Sequence, residues 1–377
     1  MRFPDDVPEL TDGVVTLRAH RLDDVDGAWE QCVDPLSQRW TTVPVPFARS
    51  DAEEFVTRTV PAGWSQGDWA FAVEARDEAG RPRFCGTVEL RDEGNRRAEI
   101  AYGAHPWARG RGIMRRALTL LLDWGFDERG LRVVIWWSST GNWASRRTAW
   151  RLGFTCDGTL ERWLPQRGEL TDGWVGVLHV DDRRAPRTPW LEVPVLCGDG
   201  VLLRGFRDDD APRVAEACDD ARTACWFHRM PSPYTLEDAH AFLLSRGEQL
   251  ASGSGITWAV ADPVGDQLLG SISLSDLEPE REAEIGYWAH PEARARGLMT
   301  EACRVVLRHA FGGVGTGGLG LRRVMGVVAE ANTGSRRVVE ENGFTRVGRE
   351  RNGLRMRDGS LVDAACYDLL VEEYDAG

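Results

Sequence analysis

The segment Ala98-Glu99-Ile100-Ala101-Tyr102-Gly103-Ala104-His105-Pro106 returns as Ala283-Glu284-Ile285-Gly286-Tyr287-Trp288-Ala289-His290-Pro291. Each copy runs into an Arg/Gly turn and then into apolar residues at helical spacing. Glu99 and Glu284 stand 185 positions apart, as do Gly112 and Gly297. Solenoid units repeat every 20 to 50 residues or so, so a period this long marks a duplicated domain. The expected division is an N-terminal domain over 1–182, a polar linker over 183–192 and a C-terminal domain over 193–377.

The surroundings of the segment repeat as well. Short apolar strands end in Leu17-Arg18 and Leu203-Arg204, and each is followed by an acidic turn suited to a helix start. Pro44-Val45-Pro46-Phe47 and Pro231-Ser232-Pro233-Tyr234 space their prolines too closely for a helix and predict stiff loops. Two strands then precede the Glu-Ile strand. After the turn come a helix, a β-branched strand, a helix ending at Gly153-Phe154 or Gly343-Phe344, and closing strands. This order predicts an α/β (α+β) chain in which each half is a mixed twisted sheet with helices on both faces. The glycine-rich run 312–320 falls at a helix C-terminus, the wrong dipole end for an anion, and is expected to be a flexible connector.

A net charge of −13 argues against nucleic acid and suits a cationic acceptor such as an amine. No apolar run approaches the roughly 18 residues of a membrane span, and Met1–Asp6 is polar, which gives a cytoplasmic expectation. The chain has no lysine; all 46 basic side chains are arginine. The eight cysteines show no metal-ligand spacing, so buried free thiols and no metal are expected. Thirteen of sixteen tryptophans fall at or before Trp190, so the halves share a plan but have diverged in pocket or packing.

The turns read Arg109-Gly110-Arg111-Gly112-Ile113-Met114 and Arg294-Ala295-Arg296-Gly297-Leu298-Met299. Each joins a strand to a helix, where unpaired amides and the helix dipole favour an anion, and glycine lets a ligand approach the backbone. Downstream, Asn142-x-x-Ser145 and Asn332-x-x-Ser335 each open a helix.

This combination resembles the GNAT acyltransferase superfamily, whose acyl-CoA signature is Arg-x-x-Gly-x-(Gly/Ala) after a strand. The Ala-Glu-Ile-(Gly/Ala)-Tyr strand, the Asn-x-x-Ser-Arg-Arg helix and the Gly-Phe ending look like its ribosomal-protein N-terminal acetyltransferase branch. The likeness spans residues 7 to 180 and 193 to 372. It implies that the amides of Arg109–Met114 and Arg294–Met299 hold the CoA pyrophosphate, and that the pantetheine arm lies between two splayed strands. Asn142 and Asn332 match the asparagine that contacts this arm. Met114 and Met299 stand where glycine or alanine is usual, so their side chains must point away. Trp136 and Trp137 are placed to narrow the first slot, whereas Gly326, Val327 and Val328 leave the second more open.

Acyl transfer to an amine needs a neutral amine, donors for the oxyanion and a proton for the leaving thiolate. Glu99 and Glu284 match the branch's strand glutamate and are candidate bases, with a solvated or arginine-paired carboxylate as the plain alternative. Ala149 and Val339 stand where many members place a tyrosine, so Ser145 and Ser335 are the candidate proton donors. Either serine also fits a local backbone cap. His105 and His290 are expected to hold position only. Trp40, Phe47 and Tyr234 are candidates for the acceptor wall, with core packing as the competitor. The implied activity is transfer of an acetyl group from acetyl-CoA to a primary amine, on a protein N-terminus or a small molecule, by direct attack in a ternary complex. One working domain beside a structural or CoA-binding partner, or an acyl-CoA sensor without turnover, are the alternatives. The duplication also fits a monomer whose domains pair within one chain.

Overall fold

The computed structural model describes residues 7–227 and 230–374, so Met1–Asp6 lie outside the described residues. The chain divides into two compact units between Arg187 and Thr188. In the first unit β1 (Leu10–Thr11) and β2 (Val15–Arg18) lead into α1 (Val25–Val33), α2 (Pro35–Trp40), α3 (Arg49–Glu54) and α4 (Val60–Trp64). Three strands follow: β3 (Asp68–Arg76), β4 (Pro82–Gly94) and β5 (Arg97–Ala104). Then come α5 (Ile113–Asp127), β6 (Val133–Ser139), α6 (Trp143–Arg151) and the hairpin β7 (Gly158–Gln166) and β8 (Glu169–His179).

The second unit repeats the plan. It opens with β9 (Leu196–Gly198), β10 (Val201–Arg204), α7 (Ala211–Asp219), α8 (Ala221–Ala224) and α9 (Leu236–Ser252). Its middle strands are β11 (Ile256–Ala261), β12 (Leu268–Glu278) and β13 (Glu282–Ala289). It closes with α10 (Leu298–Phe311), β14 (Arg323–Ala329), α11 (Thr333–Glu341), β15 (Thr345–Arg355) and β16 (Leu361–Leu370).

Each unit holds one eight-stranded mixed sheet, in the orders β1-β2-β3-β4-β5-β6-β8-β7 and β9-β10-β11-β12-β13-β14-β16-β15. The parallel pairs are β5 with β6 and β13 with β14. Helices cover both faces. Phe71 and Ala72 are neighbours on β3 and so point to opposite sides. Phe71 meets Trp124 of α5 edge-on at 5.2 Å, while Ala72 packs with Val25, Ala28, Ala52 and Val56 of the other helical layer. In the second unit Trp258 and Val260 face the α10 core, and Ala259 between them packs against α7 and α9.

The parallel pairs separate partway. The β5–β6 register ends at Ile100 with Trp136, although β5 runs on to Ala104 and β6 to Ser139. The β13–β14 register ends at Glu284 with Met325, leaving Ile285–Ala289 unpaired on that side. Outer neighbours hold the parting strands apart, since β4 pairs with β5 through Ala104 and β8 with β6 through Ser139.

The glycine-rich run differs from the expected flexible connector. Gly320 and Leu321 donate to the carbonyls of Gly312 and Ala310, so the run closes back over the α10 C-terminus and satisfies its last carbonyls. Cys85, Cys218 and Cys303 are buried as expected, but Cys156, Cys197 and Cys225 are exposed.

The Leu-Arg ends of β2 and β10 anchor the helical layers. Arg18 makes two 2.8 Å bonds to Asp24 and a third to Glu74, and Arg204 bonds Asp210 at 2.7 and 2.9 Å. Asp24 and Asp210 also accept from the backbone of Arg21 and Arg207, which fixes the corner into α1 and α7. All four side chains are buried, so removing one partner strands a charge. Arg204→Ala is expected to lower the stability of the second unit by about 3–5 kcal/mol, read as an earlier transition in urea. An unshifted transition would show the pair to be dispensable.

Candidate functional site

β5 leaves the sheet at His105, which caps the short turn Pro106–Ala108 by accepting from the Trp107 amide and meets Glu30 at 3.0 Å. His290 does the same in the second unit, accepting from Glu292, with Arg213 at 3.1 Å. Both histidines are buried beneath the turn, in agreement with a positional role.

The turn then reverses through left-handed residues: Gly110 at φ 72° and Gly112 at 73°, Ala295 at 56° and Gly297 at 74°. No acceptor among the described residues is bonded to the amides of Gly110 to Arg115 or of Ala295 to Thr300. The first helical bonds are Arg116 to Gly112 and Glu301 to Gly297. A Cβ at Gly110, Gly112 or Gly297 would meet nothing within 4 Å, so this concave face is open. The arrangement is a row of donors at the positive end of a long helix.

The arginines divide into two kinds. Arg109 is turned away from the amides toward Asp34 and Ser37, the latter at 2.9 Å. Arg294 likewise binds Asp220 and, at 2.6 Å, Thr223. Asp34 and Asp220 are the N-caps of α2 and α8, so the first arginine of each turn is a strut to the helical layer. Arg111 is exposed over the Trp107 ring and bonds Glu78, and Arg296 is exposed. Met299 points toward the sheet at Gly270, leaving the turn clear.

Asn142 and Asn332 cap α6 and α11, accepting from the Ser145 and Ser335 amides at 3.2 and 3.1 Å. Each serine hydroxyl lies against a tyrosine hydroxyl, Tyr102 at 2.8 Å and Tyr287 at 2.9 Å. Sequence reasoning assigned these tyrosines no role. The available signal was that two of the chain's five tyrosines occupy equivalent strand positions. Burial pushes the Tyr102 hydroxyl up to about 12 and raises that of Tyr287 further. In the first unit Trp136 joins the group, its Nε1 donating to Tyr102 and Ser145 at 3.1 Å each.

Glu99 and Tyr102 are three residues apart on one strand and so point to opposite faces, as do Glu284 and Tyr287. The carboxylate and the hydroxyl pair therefore flank the strand gap from its two sides. Burial raises the proton affinity of both carboxylates. For Glu99, Arg91 at 3.3 Å opposes the rise, while Glu93, Glu89 and Asp68 add to it. For Glu284, Asp276 and Glu350 add to it.

Of the three aromatics expected on the acceptor wall, Trp40 alone reaches the site. Its ring would stand 3.5 Å from a Cβ on Gly141, beside Asn142. Phe47 instead packs on the Val25, Ala52 and Phe84 cluster, and Tyr234 on the Val214, Cys218 and Ala239 cluster, because helical layers bury aromatics to complete their cores. The hairpin tips grip these loops. Arg167 donates to the carbonyls of Gln38 and, at 3.3 Å, Val43; Arg357 donates to Pro231 at 2.9 Å. In the second unit a cavity of about 730 Å³ joins the turn to the hydroxyl pair, lined by Trp226, Arg294, Gly297, Tyr287, Asn332 and Ser335. That volume is within the usual range for a small-molecule or cofactor site. Among the described residues no cluster of histidine, cysteine, aspartate or glutamate could hold a metal ion.

A family model described as an acetyltransferase (GNAT) domain matches twice, over residues 15–155 and 201–345. YdaF of Bacillus subtilis (strain 168), provisionally named a ribosomal N-acetyltransferase, is 31% identical over 179 residues, which cover 46% of this chain and 93% of YdaF. Among solved structures, Mycobacterium smegmatis RimJ in complex with CoA-disulfide is 22% identical with a TM-score of 0.42, covering 48% of this chain and 88% of RimJ. The microcin C7 self-immunity acetyltransferase MccE, in complex with acetyl-CoA and AMP, is 18% identical with a TM-score of 0.40, covering 45% and 94%. The chain belongs to the GNAT acetyltransferase family and carries that enzyme domain twice.

Proposed function

We propose that this enzyme moves an acetyl group from acetyl-CoA to a primary amine, on a protein N-terminus or a small molecule, by direct attack in a ternary complex. The observation that carries this reading is the row of unpaired amides entering α5 and α10 beside a parted strand pair. Such a row offers an anion several main-chain donors and the helix dipole together. Acetyl-CoA supplies an activated thioester carbonyl and a diphosphate. The turn amides hold the diphosphate, and the unpaired edge of β5 or β13 receives the arm and offers an amide to the developing oxyanion. Glu284 or Glu99 takes the ammonium proton, directly or through water. The Ser–Tyr hydroxyl pair, on the opposite side of the gap, supplies a proton to the departing thiolate. The provisional name of YdaF favours a protein amine as acceptor.

Gly297 is left-handed, a conformation closed to β-branched residues. Gly297→Val is therefore expected to weaken CoA binding to the second unit at least about tenfold, the loss of roughly one hydrogen bond's worth of affinity. Unchanged calorimetric affinity there would remove the turn from the reading. A carboxylate base with raised proton affinity also sets a pH dependence. The charged carboxylate is the active form, so kcat is lost as pH falls through its pKa. That inflection is expected above the ordinary glutamate value of 4.5, measured by thiol release with a panel of amines. Binding of acetyl-CoA without thiol release from any amine would instead make the protein a sensor.

A further inference from the structure

We propose that turnover belongs to the C-terminal copy, with Glu284 as its base, and that the N-terminal copy keeps the fold and the phosphate turn around an occluded slot. The inference rests on the acyl-transfer reading and goes beyond it by dividing the copies. Three differences at matched positions carry it.

The first concerns the residue across the strand from each glutamate. Opposite Glu99 is Arg91, whose guanidinium binds both Glu99 at 3.3 Å and Glu89 at 3.0 Å. Opposite Glu284 is Ser275, whose hydroxyl goes to the Glu284 backbone carbonyl. The groups facing the Glu284 carboxylate are Asp276 of β12, Glu350 of β15 and the Cys366 thiol of β16. No arginine is bonded to it among the described residues. The Glu99 carboxylate is thus already paired with a guanidinium, whereas the Glu284 carboxylate has no such partner among the described residues and stays open to a cationic amine.

The second concerns the hydroxyl pair. Trp136 spends its N–H on Ser145 and Tyr102, whereas the matched residue of β14 is Gly326. The Trp136 indole thus stands against the first hydroxyl pair, whereas Ser335 and Tyr287 have no ring at that place and open on the cavity. The third is space. Trp40 has a counterpart in Trp226, but beside Asn142 the first unit also places Trp143 against Trp174, ring centres 4.7 Å apart and tilted at 50°. The second unit has Thr333, which lines the open cavity, at the place of Trp143 and Ala365 at that of Trp174.

The test uses the full chain and thiol release with acetyl-CoA and any amine the wild type accepts. Glu284→Gln, isosteric with the native residue, is expected to lower kcat at least 100-fold with the melting curve unchanged. Retention of more than about a tenth of the wild-type rate would place turnover in the N-terminal copy and overturn the assignment. Ser275→Arg transplants the N-terminal arrangement. It is expected to move the acid inflection of kcat down by about one unit, because an adjacent guanidinium favours the carboxylate. An unmoved inflection would show that Glu284 is not the titrating base. Absence of thiol release from the wild type, with CoA still bound, would overturn the acyl-transfer reading itself.

Discussion

Two parallel strands begin as partners and then separate, and the site depends on that separation. A ladder that ends while both strands continue leaves amides and carbonyls along two facing edges. Such groups cannot stay buried and unpaired without costing about as much as a lost hydrogen bond each. The gap is stable because each strand is satisfied on its outer side, by β4 and β8 in the first unit. Its inner edges are left for water or a ligand. The same divergence carries β5 and β13 toward the turns, so the slot and the helix N-terminus arise from one geometric event.

On that shared frame the copies have exchanged bulk as well as charge. Trp136 pairs across strands with Gly176, and Gly326 pairs with Tyr367. A large and a small residue have thus traded places between adjacent strands. Exchanges that conserve volume are tolerated by a core, so the fold survives while the space behind the gap is redrawn. Tyr367 directs its hydroxyl to Arg336 and Glu340 at the helix surface, away from Ser335.

Much of this plan was legible in the chain. The β-branched runs, the paired prolines and the Gly-Phe helix endings act locally, and the helices over 113–127 and 298–311 follow the turns as expected. The Arg/Gly turn was legible because positive φ favours glycine, although Ala295 shows that one such place tolerates a small side chain. Roles set by long-range packing were hidden. Phe47 and Tyr234 serve the helical layers, which depends on which face of a loop meets the core. Arg109 and Arg294 look like phosphate ligands in sequence, yet their partners Asp34 and Asp220 lie over 70 residues away. The tyrosines of the Glu-Ile strands were missed because a strand hydroxyl reads as core until its helical partner is placed.

The six-residue helix α2 is too short to hold its own shape, since helix nucleation is costly. Guanidinium groups grip it from outside: Arg109 at its first turn, and Arg167 on the carbonyl of Gln38 and at the loop beyond. Both grips are electrostatic and partly open to solvent, so dissolved ions screen them while leaving the apolar interior untouched. The stiffness of the short helix bearing Trp40 is therefore tied to ionic strength, and salt acts on this segment long before it acts on the fold.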